Sequence, residues 1–269
     1  MEPYAVHAIR YGSHERTAAQ NFIGGDAHES ASNLDYYVWL VTNQDRTLVV
    51  DTGFTREEAA RRQRNIFQEP AEGLARMGIE AARIEEVVIT HMHYDHAGSL
   101  GAFPNARLHI QDDEMAYCTG RYMAHECFGM PYSTEHVIEM VRAVFAKRVA
   151  FHRGDEEIAP GISLHRIGGH TMGIQSVRVW TESGWLVLAS DAAHLYENME
   201  AVRPFPIVFN VQEMVDGFEK LRGLAETSEN VIPGHDPLVM KRYPCPEPEL
   251  EGIAVRLDRG RVPETAQAP

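Results

Sequence analysis

Cysteine is scarce in this 269-residue chain: Cys118, Cys127 and Cys245 are the only three, and none sits in a Cys-x-x-Cys pair. An odd, small set without paired spacing argues against a disulfide framework and against a thiolate zinc site. Reduced thiols in a cytoplasm fit better. The opening stretch, MEPYAVHAIRYGSHE, lacks the apolar segment of a secretory signal. No run approaches the roughly 18 apolar residues that a membrane-spanning helix needs. The expectation is a soluble, cytoplasmic protein with no membrane partner. Positive charge is also short, 25 Lys and Arg against 39 Asp and Glu, for a net −14. A field of that sign repels phosphate backbones, which argues against nucleic acid and for small neutral or weakly charged substrates. There is no low-complexity tract and no Gly-x-Ser-x-Gly elbow, so no serine nucleophile is marked.

What is present is a hydrophobic fraction of 44%, enough for a sizeable core. Residues 36–53 alternate in β-rich runs around a polar turn at Asn43–Arg46 and read as a hairpin ending in Asp51-Thr52-Gly53. Segments 56–67 and 73–77 have helical composition, with Gly78 as a stop. Residues 87–90 and 106–111 read as strands. Residues 133–149 form an amphipathic pattern with a capping-box start at Ser133 or Thr134. Two strands surround a tight turn within 174–191. A helix over 211–226 precedes a short strand and the loop IPGHDP. The tail from about Pro244 is rich in proline and charge and is expected on the surface. Strands, then a loop of ligand-type residues, then a helix recur in each half. That order predicts an α/β chain with strands central and helices outside.

The densest chemistry lies in VVITHMHYDHAGSL, residues 87–100. His91, His93, Asp95 and His96 fall within six residues of a loop that follows a buried-type strand. Imidazole and carboxylate groups suit zinc and similar divalent ions. His91 and His93 can face one way while Asp95 and His96 reach a second point, so two ions are indicated. Further ligands are available in His170 (RIGGHTMG), Asp191 (VLASDAAH) and His235 (VIPGHDP). Each follows an apolar run in a turn of small residues, where sheets present their sites. A single histidine after Gly-Gly is more often solvent-exposed than a ligand, and the upstream cluster is what changes that reading. His7, His14, His28, His109, His125, His136, His152 and His165 lack such context and read as ordinary surface or core polar residues.

The loop His91–Gly98, with GAFPNARLHIQDDEMAY, GGHTMGIQS, SDAAHLYENME and GHD after it, resembles the metallo-β-lactamase superfamily and, within it, the N-acyl-homoserine lactonases. The resemblance runs from about Asn33 to Pro244. It implies a four-layer αββα sandwich, one domain of two similar halves spanning residues 1–269. It implies a dinuclear site for two divalent ions, zinc foremost, in the cleft between the sheets. His91, His93 and His170 would hold one ion, Asp95, His96 and His235 the other, and Asp191 would bridge them. The implied reaction is lactone hydrolysis by a metal-bridging hydroxide, with Asp95 carrying the proton to the leaving oxygen. The substrate would be a small-molecule lactone or ester, and a homodimer is the assembly considered.

Lactonases of this type carry a tyrosine three residues after the bridging aspartate. Here that position is His194, and Tyr196 follows two residues later, so either could hold the substrate carbonyl. Gly169 and Ile174 also replace a proline and a second histidine often seen around this ligand loop. Residues 118–132 and 203–210 are dense in aromatic and apolar residues. Packing is the commoner role for such stretches, and only part of the first is expected to wall a pocket. Other cyclic esters, of pyridoxolactone or aryl lactone type, and a glyoxalase II-like thioesterase remain alternatives. A flavodiiron oxidoreductase is disfavoured because such sites usually have Glu where His93 stands. An RNase Z-like nuclease is disfavoured by the acidic balance.

Overall fold

The computed structural model describes residues 1–26, 28, 29 and 33–262. Strand Leu34–Thr42 shows how the architecture arises. Its residues Tyr37, Trp39 and Val41 enter one core while Tyr36, Val38 and Leu40 enter another. The period of two is intact, but both faces are apolar because both are covered. This strand belongs to a mixed sheet ordered Ala254–Arg256, Ala5–His14, Leu34–Thr42, Thr47–Val50, Glu86–Val88, Arg107–Gln111 and Val149–His152. A second sheet runs Glu156–Ala159, Ile162–Arg166, Gln175–Thr181, Gly184–Ser190 and Val231–Pro233.

The first core lies between the sheets. It joins Val6, Trp39 and Val50 to Leu164, Val177 and Leu188, and continues to Met214, Phe218 and Leu221 of the helix Val211–Leu224. The second core lies on the outer face of the larger sheet, under Leu74 of helix Pro70–Arg76 and Met140 and Ala143 of helix Thr134–Phe145. Helix, sheet, sheet, helix is the expected αββα order. No helix among the described residues is long and apolar enough to cross a membrane.

Four local expectations need correction. The helix expected over 56–67 ends at Arg62. Thr55 caps its start by accepting from the Glu58 N–H, and Gln63 terminates it in the left-handed conformation. The helix expected over 133–149 ends at Phe145, after which Lys147 takes a φ of 60° and the chain becomes the strand Val149–His152. Ser133 is its N-cap but makes no side-chain cap bond. Finally, the tail does not simply lie on the surface. Ala254–Arg256 pairs antiparallel with His7–Ile9, and Leu250, Val255 and Leu257 are buried. Residues 263–269 of that tail lie outside the described residues.

The parallel pairs position the site. Thr47–Val50, Glu86–Val88 and Arg107–Gln111 run parallel, as do Gly184–Ser190 and Val231–Pro233. Their C-terminal ends deliver Asp51, the His91–His96 loop, Asp191 and His235 to one edge of the sandwich. Ligand sites form at the carboxyl ends of such strands.

Candidate metal centre

Asp191 leaves its strand through Ser190, whose φ of 50° turns the chain sharply. His235 follows Gly234, where a Cβ would come within 2.8 Å of Asp191 Oδ1. Only glycine lets these two strand ends approach so closely. Gly169 has a φ of +88°, and a Cβ there would press on the Met214 backbone at 2.5 Å. The tight Gly168-Gly169 turn thereby aims His170 at the same point.

The seven side chains expected as ligands converge in two groups. His91, His93, His170 and Asp191 form one and Asp95, His96 and His235 the other, with the potential ligand atoms within 4.8 Å of one another in each. Asp191 joins the two. Its Oδ1 lies 2.8 Å from His235 Nε2 and 3.2 Å from His96 Nε2. Its Oδ2 lies 3.3 Å from His170 Nε2 and 3.8 Å from His91 Nε2. One carboxylate oxygen therefore faces each group.

These atoms suit a cation better than they suit one another. His91 Nε2, His96 Nε2 and Asp191 Oδ1 are buried and make no hydrogen bond of acceptable geometry. Orphaned buried polar atoms are costly unless something else satisfies them. Burial, reinforced by neighbouring imidazoles, pushes His91 and His93 well below the ordinary histidine range, leaving lone pairs free to ligate. Burial would also lower His96 and His235, but nearby carboxylates, Asp191 above all, outweigh it and raise both. Protons are drawn there because positive charge is wanted, and a divalent ion supplies it.

Outer contacts fix which nitrogen faces inward. His96 Nδ1 lies 2.7 Å from Asp51 Oδ2, His170 Nδ1 2.7 Å from the Ile207 carbonyl, and His235 Nδ1 2.9 Å from the Asp35 carbonyl. Each bond turns Nε2 to the centre. Asp51 also accepts from the Thr90 N–H and hydroxyl, both at 2.8 Å. It was visible in the sequence only as the end of a strand, and its φ of 62° was not. Glu114 is a further supporting residue that the sequence does not mark. Fully buried, it accepts from the Met92 N–H and Tyr132 hydroxyl with one oxygen, and from the Thr171 hydroxyl and Gly173 N–H with the other. It thus ties the His91–His93 loop to the His170 loop. A single Glu in QDDEMAY carries no spacing signal that could have shown this.

Among the described residues Asp51 is the only carboxylate on His96 Nδ1, and it reaches His91 Nδ1 only through the Thr90 hydroxyl at 3.1 Å, so Asp51→Ala should weaken the ion of the His96 group about 10- to 100-fold and the other markedly less. Competition with a chromophoric chelator resolves the two affinities. Equal weakening of both, or of neither, would refute this role.

The centre lies in a cleft lined by Tyr36, Tyr94, Met130, Phe205, Ile207 and several arginines. Of the stretch 118–132, Met130 and Pro131 reach it, while Tyr117, Tyr122, Phe128 and Phe209 pack together in a neighbouring aromatic cluster. His194 lines the cleft, with Nε2 2.9 Å from Asp191 Oδ2 and its ring stacked on Phe205 at 3.5 Å. Burial lowers its pKa to about 3, so it is a neutral imidazole with one N–H. Tyr196 does not meet this expectation. It starts a short helix, and its ring packs under Arg242 and Arg261, at 4.1 and 5.2 Å, outside the cleft. Of the remaining histidines, His109 and His152 stack on each other and His165 pairs with Asp155, all away from the centre.

Comparison with known proteins agrees with this fold. An N-acyl homoserine lactonase from Bacillus cereus is 29% identical over 224 residues, covering 76% of this chain and 82% of that protein. A solved N-acyl homoserine lactone hydrolase, with N-hexanoyl-L-homoserine product at its catalytic metal centre, superposes with a TM-score of 0.75 at 22% identity, over 90% of this chain and 96% of that one. A dizinc quorum-quenching lactonase superposes with a TM-score of 0.64 at 15% identity, over 88% and 90% of the two chains. The family model of the metallo-beta-lactamase superfamily matches residues 33–235, and the chain belongs to that superfamily.

Proposed function

We propose that this chain is a metal-dependent hydrolase that opens lactone rings, N-acyl-homoserine lactones in the first place, using two divalent ions, most simply zinc. The observation that carries the reading is Asp191, with one oxygen turned to each of two ligand groups at the floor of a cleft. The Bacillus cereus relative and the product-bound neighbour are lactonases, and another neighbour is dizinc. Both halves of the chain contribute ligands, so we take residues 1–269 as one functional domain.

In this reading His91, His93 and His170 hold one ion, Asp95, His96 and His235 the other, and Asp191 both. When bound, such a pair supplies a nucleophilic water at neutral pH and Lewis-acid polarisation of a carbonyl. The protein's own groups do the rest. Asp95 lines the cleft and can carry a proton to the departing ring oxygen. His194 donates its one N–H toward Asp191 Oδ2 at 2.9 Å and can pass it to the substrate carbonyl when ions engage that carboxylate. Met130, Pro131, Phe205 and Ile207 give an apolar wall for an acyl chain.

The purified protein should contain close to two divalent ions per chain and hydrolyse N-hexanoyl-homoserine lactone, and chelation should abolish the activity. In heavy-oxygen water, one label should enter the new carboxylate and none the new hydroxyl. Label in the alcohol would refute attack at the acyl carbon. A protein with both ions bound but no lactonase activity would refute the substrate assignment.

A further inference from the structure

The cleft runs against the charge of the molecule. The chain carries a net −14, yet three arginines, Arg16, Arg62 and Arg64, line the approach to the centre. Arg62 is paired, its Nε lying 2.5 Å from Glu58 Oε1, a carboxylate it shares with Arg61. It braces the wall by donating to the Met130 and Tyr132 carbonyls. Arg16 and Arg64 are different. Among the described residues, neither has a carboxylate within ion-pair distance. Arg64 donates from Nε to the Tyr94 hydroxyl at 3.0 Å, and from Nη1 to the Arg62 carbonyl. Arg16 donates to the Gln20 carbonyl and lies over the Phe205 ring at 5.1 Å, but its Nε is buried with no partner among the described residues.

Two half-buried guanidiniums in one cleft repel each other, and one carries an orphaned donor. For Arg16 this is unfavourable in the free protein, burial pushing its pKa down, whereas Tyr94 and Tyr36 offset the burial of Arg64. The arrangement becomes favourable when an anion enters. The cleft's own carboxylates, Asp95 and Asp191, are committed to the ligand groups. The effect of the pair reaches His14, whose pKa is lowered to about 4 by burial and by Arg64 and Arg16. Position matters as well. His194 lies against Asp191, Phe205 stacks on His194, and Arg16 lies over Phe205. Arg16 therefore stands two rings beyond Asp191, along the apolar wall, where the far end of a substrate would rest.

We propose that Arg16 and Arg64 form an anion subsite, and that the cleft prefers lactones whose acyl group ends in a carboxylate over those with a plain alkyl end. This rests on the lactonase reading above. Guanidinium groups bind carboxylates through paired, charge-assisted hydrogen bonds, and both guanidinium side chains line the cleft without a carboxylate partner among the described residues.

The test compares matched homoserine lactones: N-succinoyl, N-adipoyl and N-suberoyl against N-butanoyl, N-hexanoyl and N-octanoyl. For the best-fitting pair the acid should have the higher kcat/KM, by about tenfold or more at low salt. The advantage should shrink as salt is raised. In Arg16→Gln/Arg64→Gln the ratio should fall to about one, and Arg16→Lys/Arg64→Lys should retain part of it. A wild-type ratio at or below one for every pair, or a ratio unchanged in the glutamine variant, would overturn the subsite. Should the glutamine variant fail to fold, the wild-type ratio and its salt dependence decide. Should no lactone be hydrolysed, the lactonase reading fails and binding decides the subsite alone. The metal-loaded protein would be titrated with adipate and with hexanoate, following thermal stability. A larger shift with adipate that is lost on replacing the arginines supports the subsite, and equal shifts with the two acids overturn it.

Discussion

Asp191→Ala should lose both ions and hydrolysis together, and no other single replacement in the centre should do this. The other expected ligands each serve one group, whereas Asp191 presents Oδ1 to His96 and His235 and Oδ2 to His91 and His170. It is also the carboxylate whose charge raises His96 and His235. Without it, two like-charged ions would face each other across a buried gap with little between them. Metal content after gel filtration should fall well below one ion per chain, and activity should fall by at least about a thousandfold, since chemistry supplied by both ions is removed. His235→Ala is the control and should retain the ion held by the His91 group. Retained occupancy of two ions in Asp191→Ala, with normal turnover, would show that it does not join the two groups.

The legible and illegible parts of this molecule divide by how local their causes are. His91, His93, Asp95 and His96 were readable because ligation demands particular residue types at close spacing, on a loop that a short apolar strand introduces. His170, Asp191 and His235 were readable only jointly, each being one side chain in a turn of small residues. Central strands and outer helices followed from where these elements fall along the chain, and the αββα layering from the resemblance to the metallo-β-lactamase superfamily. The strand Ala5–His14 carries no clear strand signal in the sequence. Both its faces are buried, and the register shift between Arg10 and Gly12 breaks the alternation that would mark it. Ala254–Arg256 escaped because three residues carry no period, and its partner lies at the other end of the chain. Thr134–Phe145 was found but overrun, because apolar residues of the next strand continue its pattern.

The support of the site was less legible than its ligands. Asp51 and Glu114 act through hydrogen bonds to residues 45 and 22 positions away, His96 and Met92. Arg16 and Arg64 reach the cleft from the turn after the first strand and from the end of helix Arg56–Arg62. Their charge is opposite to that of the chain as a whole, so the net balance predicted the wrong local field. A pairing that depends on folding places no mark on the stretch that supplies either partner.

His194→Ala should reduce kcat/KM by about a hundredfold, or on the order of 3 kcal/mol, while both ions stay bound. The imidazole is neutral and carries one N–H, its ring is held flat against Phe205, and its Nε2 stands 2.9 Å from Asp191 Oδ2, so the N–H rests on that carboxylate and is freed for a substrate oxygen when Asp191 is engaged by ions. A donor so fixed has little to reorganise when charge develops on a substrate oxygen. Its loss should therefore appear in kcat and kcat/KM alike. His194→Phe should be as damaging, because it keeps the stacking on Phe205 and removes only the nitrogens. Tyr196→Phe should stay within about twofold of wild type, since a group outside the cleft contributes no donor to the transition state. The contact of His194 Nε2 with Asp191 at 2.9 Å offers the competing account, in which the histidine positions the shared carboxylate. Metal content separates the two. If His194→Ala sheds ions in proportion to its lost activity, His194 acts through Asp191. If both ions remain and only turnover falls, the N–H serves the substrate, and histidine fills here the place that tyrosine takes in the lactonases this chain resembles.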